Sequence, residues 1–134
     1  MFCHGSPRGD EEILTRATPE ERLRQALASV TEDVVVCGHT HMQFDRVVAG
    51  KRVVNAGSVG MPYEGRPGAY WALLGPDVNL RRTTYDVEAA ANLIRSTDFP
   101  GADEFASDNV LHPPTADEVT DFFERLADER AATG

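Results

Sequence analysis

One stretch decides how the chain is interpreted: Val34-Val35-Val36-Cys37-Gly38-His39-Thr40-His41. An apolar run that breaks at a glycine and then presents two imidazoles predicts a strand, buried on both faces, that delivers ligands to a loop. We expect Gly38 to make the turn, because glycine lets the backbone bend where a Cβ would obstruct it. The two histidines are two positions apart, so they do not have the spacing of a helical zinc-binding pair.

A second loop of the same form lies near the start of the chain, in the sequence Cys3-His4-Gly5-Ser6-Pro7. A short apolar segment again ends at a potential ligand that a glycine follows. His4, His39 and His41 are therefore candidate metal ligands, and imidazole suits Zn, Mn, Fe or Ni. Cys3 and Cys37 allow two further interpretations. They could join the histidines in a structural zinc site, or they could be small buried residues of the core.

Length and charge narrow the class of protein. A chain of 134 residues is the size of one domain. A net charge of −9 disfavours binding to a nucleic-acid duplex, although bound cations could still attract a phosphate ester. No apolar run approaches the roughly 20 residues of a membrane helix, and no signal peptide is visible. We expect a cytoplasmic protein with free thiols that binds no membrane.

The periodicity of apolar residues predicts an α/β or α+β fold. A capping box at residues 18–21 begins a helix that buries Leu23, Ala26, Leu27 and Val30. Two hairpins follow the histidine loop, and a further helix begins after Asp86. A second capping box at residues 115–118 begins a helix, which we expect to bury Val119, Phe122, Phe123 and Leu126.

A glycine-rich loop follows the third predicted strand, in the sequence Asn55-Ala56-Gly57-Ser58-Val59-Gly60. Its unhindered backbone N–H groups could hold an anion, although a plain turn fits the sequence equally well. Ser58 in this loop and Arg66 in the next are candidate substrate-binding residues. An exposed arginine could equally be solvated. His112, between two predicted helices, is assigned no chemistry.

The order and spacing of these loops resemble those of the calcineurin-like metallophosphoesterases, in particular the small bacterial YfcE-like phosphodiesterase branch, from Met1 to about Tyr85. The resemblance implies a sandwich of two sheets flanked by helices, with two divalent metal ions. It places His4 and His39 on one metal and His41 on the other. It also implies hydrolysis of phosphodiester or phosphomonoester bonds in small substrates, nucleotides among them.

The family pattern also contains an Asp-x-His, a Gly-Asp-x-x-Asp and a Gly-Asn-His motif, and none of the three occurs in this sequence. The bridging carboxylate and the proposed general acid are absent with them. We therefore expect residues 1–96 to be the C-terminal half of such a domain and residues 97–134 to be a helical extension packed on the same body. The strand fragment at Met1–Cys3 independently indicates the same.

A chain of this kind is expected to be inactive alone, to contain no catalytic residue and to hold at most one metal ion, as a three-histidine site. The alternative is a catalytically incompetent fragment that binds a metal or a protein. We expect the sheet surface that the missing half would cover to be apolar, which predicts homo-oligomers through this surface.

Overall fold

The computed structural model describes residues 1–133 and shows a mixed α+β fold with two small sheets. Gly134, the last residue of the expected extension, lies outside the described residues. The two-sheet fold flanked by helices is the one that the sequence predicts. Its elements are α1 (Glu20–Ala26), β1 (Val34–Cys37), β2 (Gln43–Val48), β3 (Lys51–Ala56), β4 (Ala69–Leu74), β5 (Val78–Thr83), α2 (Val87–Arg95), α3 (Ala102–Phe105), a π-helix (Ala106–Leu111) and α4 (Ala116–Thr133).

The larger sheet has the strand order β1-β3-β2, with β1 parallel and β2 antiparallel to β3. The turn between β2 and β3 consists of Ala49 and Gly50, whose φ angles are 51° and 78°, as the tight hairpin turns require. The N-terminal residues add an edge beyond β1. Phe2 forms a parallel bridge with Val36, and the Cys3 N–H donates to the Val36 carbonyl at 3.1 Å.

The helix α1 covers one face of this sheet. The four apolar positions predicted to be buried on and after α1 are all inside the core, together with Val35, Val53 and Phe44 from the strands. Burial of each such side chain contributes roughly 1.5–3 kcal/mol. The predicted capping by Thr18 is wrong, because the N-cap is Pro19 and has no side-chain cap. The Thr18 hydroxyl instead accepts from the Thr15 N–H and donates to Glu124 of α4.

The strand that is covered on both sides is β3 rather than β1. Val53 and Val54 point to opposite faces of β3, and both are fully buried. In β1 the buried residues Val35 and Cys37 alternate with the half-buried residues Val34 and Val36. The prediction that β1 is buried on both faces is therefore wrong. The strand lies between β3 and the short N-terminal edge, and its second face is only partly covered.

The second sheet is the antiparallel hairpin β4–β5, as predicted. It is joined to the larger sheet by Arg52, which pairs with Asp45 of β2 and with Asp77 in the β4–β5 turn. The side-chain amide of Gln43 also donates to the carbonyls of Trp71 and Arg81. These contacts hold the two sheets together.

The C-terminal helices form a second apolar cluster around Ala91, Ala106 and Val110. The capping box at the start of α4 is confirmed, since Thr115 and Glu118 exchange hydrogen bonds. Phe122 of α4 was expected to be buried but is 53% exposed. Its side chain lines a cavity and is not part of the core. No helix within residues 1–133 is long and apolar enough to cross a membrane.

Candidate metal site

Two distant segments bring His4 and His39 together. The Gly38 N–H donates to the His4 carbonyl at 2.8 Å, which fixes the N-terminal edge against the end of β1. Nε2 of His4 then lies 3.2 Å from Nδ1 of His39, and the ring centroids are 5.1 Å apart. The pairing follows from the sheet, because parallel neighbouring strands end at the same edge.

The His4–His39 separation fits two neighbouring ligands of one metal ion. Imidazole nitrogens bind zinc at about 2.0–2.1 Å, which for bond angles of about 90–110° places two ligand nitrogens roughly 2.8–3.4 Å apart. The observed 3.2 Å lies within that range. The same distance also suits a direct hydrogen bond when one of the two facing nitrogens carries a proton and the other does not.

His41 lies apart from this pair and packs against Tyr63, with the ring centroids 5.1 Å apart. Its Nδ1 is buried and makes no hydrogen bond of normal geometry to any residue in the described part of the chain. A buried ring nitrogen without a partner is costly, by roughly 1–3 kcal/mol. A metal ion at this nitrogen would remove that cost, so the donor fits the role of a ligand.

The three histidines do not form one cluster. Within residues 1–133, no group of three or more His, Cys, Asp or Glu side chains is arranged to hold an ion. The part of the chain that the structure describes therefore contains no three-histidine site. The geometry consists of one pair, His4 with His39, and a separate His41.

The environment keeps the loop imidazoles neutral. Burial lowers the pKa of His39, as do the nearby charges of His4 and Arg130, while Glu11 acts in the opposite direction. Burial also lowers the pKa of His41, against a smaller opposing effect of the Met61 backbone. A neutral imidazole is the form that binds a metal ion, so both shifts favour ligation near neutral pH.

The sharp turns of the histidine loop fall on the histidines themselves. His39 and His41 have φ angles of 65° and 57°, in the left-handed region that side chains with a Cβ rarely adopt. The expectation that Gly38 makes the turn is wrong: its φ is not in this region, and an added Cβ would meet only the His4 carbonyl oxygen at 3.8 Å. Glycine is required instead at Gly5, where a Cβ would lie 2.4 Å from the Asp10 carbonyl oxygen.

A buried asparagine that sequence reasoning missed supports the loop. Asn55 at the end of β3 is fully buried, and its amide donates to the Gly38 carbonyl at 2.7 Å and to the Thr40 hydroxyl at 3.0 Å. The Thr40 hydroxyl donates in turn to the Leu14 carbonyl. Asn55 also accepts from the Gly57 N–H, so one side chain joins the histidine loop to the glycine-rich loop that follows β3. The signal that could have identified it is a polar residue at the end of an apolar strand.

The two predicted substrate-binding residues do not hydrogen-bond to the histidines. The Ser58 hydroxyl accepts from the Met61 N–H at 3.0 Å within its own loop. Arg66 is exposed, and its carbonyl accepts from the Tyr70 hydroxyl. The N–H groups of Gly57 and Met61 are used inside the loop, which leaves fewer of the backbone donors expected there for an anion.

The two cysteines lie under the site and belong to the core. Cys37 is only 4% exposed, and burial raises the pKa of its thiol to about 12. Burial also raises the pKa of Cys3, which packs against the same apolar cluster. Because Cys37 belongs to the apolar core cluster and Cys3 packs against it, the packing favours the interpretation of the cysteines as core residues over the Cys/His zinc site.

Comparisons with known proteins identify the family and similar folds. The sequence model of the calcineurin-like phosphoesterase superfamily domain matches residues 1–75. A hypothetical protein from Pyrococcus horikoshii OT3 has a similar fold, with a TM-score of 0.69 and 19% identity over 86% of this chain and 46% of that one. A metallophosphoesterase from Sphaerobacter thermophilus gives a TM-score of 0.64 and 21% identity over 79% of this chain and 54% of that one. The chain thus spans about half the length of these two structures. No curated protein gives a match.

Proposed function

Because the chain belongs to the calcineurin-like phosphoesterase superfamily, we propose that it supplies His4, His39 and His41 to the metal centre of a phosphoesterase. The observation that carries the proposal is the 3.2 Å separation between Nε2 of His4 and Nδ1 of His39. His4 and His39 would hold one divalent ion, and the buried Nδ1 of His41 would be a ligand of a second.

In this proposal the chain's own residues bind metal ions and position the histidine loop. They do not transfer protons. The Asn55 amide and the Thr40 hydroxyl fix the backbone of the histidine loop. The lowered pKa values of His39 and His41 keep these rings neutral. The metal ions supply the rest: divalent cations lower the pKa of a bound water and neutralise the phosphoryl oxygens.

The proposed substrates are small phosphodiesters or phosphomonoesters, nucleotides among them. The net charge of −9 opposes an anionic substrate at long range, so the local positive charge has to come from the metal ions. Arg66 and Ser58 are proposed to contact the substrate.

Two dications a few ångströms apart repel each other unless negatively charged ligands compensate their charge. The three histidines are neutral ligands, so a two-metal centre also needs carboxylate ligands. We propose that these ligands lie outside the 134 residues and that the chain alone does not hydrolyse phosphate esters. The metals are Mn, Fe, Zn or Ni, since imidazole suits each of them.

A metal titration tests the proposal. Calorimetry with Zn²⁺ and with Mn²⁺ should show binding that His4→Ala or His39→Ala weakens at least about tenfold, in line with the loss of a ligand. His112→Ala is the matched control, because the His112 ring contacts the Ser107 carbonyl and neither His4 nor His39, and it should leave the affinity unchanged. Equal affinity in the wild type and His4→Ala would refute the assignment.

Activity is measured separately, as Mn²⁺-dependent hydrolysis of bis(p-nitrophenyl) phosphate. No turnover is expected from this chain, and turnover should appear in a longer protein that adds the carboxylate ligands. Metal-dependent turnover by the 134-residue chain alone would show that the ligand set proposed here is too small.

A second candidate function is a non-catalytic module that binds a partner through the sheet. The observation that favours it is the exposed N-terminal edge, where Phe2 is 74% exposed next to the half-buried Val34 and Val36. An exposed apolar residue on a sheet edge invites pairing with another chain. We propose a second copy of this chain as the partner.

A further inference from the structure

A cavity lies beside the candidate metal site, and except for Tyr63 its lining residues follow the segment matched by the family model. Its volume is about 440 Å³, and it is bounded by the loop at Tyr63, the π-helix and α4. Small-molecule sites occupy about 300–1,000 Å³, so the cavity has the size of one. Its lining includes Tyr63, Asp108, Asn109, His112, Phe122 and Phe123.

Tyr63 connects the cavity to the histidines. Its ring packs on His41 with the centroids 5.1 Å apart and also lines the cavity. Its N–H donates to the His41 carbonyl at 3.2 Å, and its ring centroid lies 6.4 Å from that of Phe123. A ligand in the cavity would therefore be separated from His41 by a single aromatic ring.

The walls of the cavity suit a flat aromatic ring with polar edges. Phe122 and Phe123 form an edge-to-face pair 5.6 Å apart, and with Tyr63 they offer three aromatic surfaces for stacking. Asp108 and Asn109 add a carboxylate and an amide at the border of the same cavity. A carboxylate accepts hydrogen bonds from ring N–H groups and repels a second phosphate.

We propose that this cavity binds the heteroaromatic base of a nucleotide-like phosphate ester whose phosphate is directed to the histidines. The base stacks on the phenylalanines, and the Asp108 carboxylate accepts from N–H groups on its edge. A base that carries such donors, as guanine does, fits better than one that lacks them. The assignment rests on the proposed phosphoesterase function of the neighbouring site.

The test uses guanosine, which has no phosphate and needs no metal ion. Titration of the metal-free chain, followed by NMR, should give saturable shifts for residues around the cavity. Phe122→Ala should weaken guanosine binding about tenfold, as expected for the loss of one stacking partner. Phe122 is already 53% exposed, so the variant should fold, and a circular-dichroism melt confirms this. Asp108→Ala serves as a second variant and should weaken guanosine binding at least about threefold.

Phe99→Ala is the matched control. Phe99 is 54% exposed, like Phe122, but it lines a neighbouring cavity that shares Asp108 and Asn109 with the first cavity and none of its aromatic rings. The proposal is overturned if guanosine produces no saturable shifts, or if Phe99→Ala weakens binding as much as Phe122→Ala does. The metal titration tests the histidines without any nucleoside, so a failure of one experiment is distinguishable from a failure of the other.

Discussion

The side-chain amide of Asn55 donates to the carbonyl oxygen of Gly38 at 2.7 Å, and this bond ties the end of β3 to the end of β1. The two strands are parallel neighbours, and Asn55 is in register with Cys37. The start of the histidine loop is therefore held by the Asn55 side chain of β3 as well as by its covalent connection to β1.

Replacement of Asn55 should destabilise the fold. In Asn55→Ala the Gly38 carbonyl and the Gly57 N–H each lose a buried partner, which we expect to lower the free energy of unfolding by about 2–4 kcal/mol. Urea denaturation measures the change. Asn92→Ala on the exposed side of α2 is the control and should cost less than about 0.5 kcal/mol. A loss that small for Asn55→Ala would contradict the role assigned to it.

The stability of the metal-free chain should decrease as the solution becomes more acidic. The folded pKa values of His39 and His41 are lowered, so below the unfolded value of about 6.5 the unfolded chain takes up protons first. The free energy of unfolding, measured in EDTA, should be unaffected by these groups above about pH 7.5. It should fall as the pH decreases from about 6.5 through the folded values. His41→Gln should reduce this slope, and an unchanged slope would argue against a buried neutral His41.

The two thiols should differ in reactivity. Cys37 is 4% exposed with a pKa of about 12, so iodoacetamide should modify it only after unfolding, because the thiolate is the nucleophile. Cys3 is half-buried, and we expect it to react slowly in the native chain but before Cys37. Mass spectrometry of a time course distinguishes the two sites, with a urea-unfolded sample as the reference. Rapid native modification of Cys37 would revive the Cys/His zinc interpretation.

Charge at the exposed sheet edge should reduce self-association. Phe2→Lys places a cation on the edge, where lysine commonly prevents strand pairing, and we expect it to weaken any dimer at least about tenfold. Sedimentation equilibrium over a range of protein concentrations gives the dissociation constant. Leu93→Lys, at an apolar residue 69% exposed on α2, controls for the added charge. A wild-type chain that stays monomeric throughout that range would contradict the second candidate function.

The parts of the fold that depend on short-range patterns could be predicted from the sequence. Alternation and turn residues identified both hairpins, and Asp86 and Thr115 identified two helix starts. The misses involve contacts between distant segments. Thr18 donates to Glu124, a residue 106 positions away, instead of capping its own helix. No local pattern encodes such a choice.

In the candidate site, too, the sequence predicts the residue types but not the contacts between distant segments. Residue types and spacing singled out His4, His39 and His41, but the sequence does not show that Tyr63 stacks on His41 or that Asn55 joins the two loops. The Tyr63 contact arises because its loop folds back onto the histidine loop, and the Asn55 contacts arise because β1 and β3 are neighbours. His112, to which the sequence assigned no chemistry, lines the cavity beside the site. Its position depends on the packing of α4, which periodicity alone does not determine.

The left-handed backbone at His39 and His41 sets two opposing demands on the same positions. A residue with a Cβ costs roughly 1–2 kcal/mol in this conformation, whereas glycine adopts it freely. Glycine at either position should therefore give a more stable chain that has lost a ligand. Under selection for folding alone these positions would drift toward glycine, and histidine would persist only where its imidazole is needed. A library screened for stability and one screened for metal binding should therefore enrich different residues at positions 39 and 41.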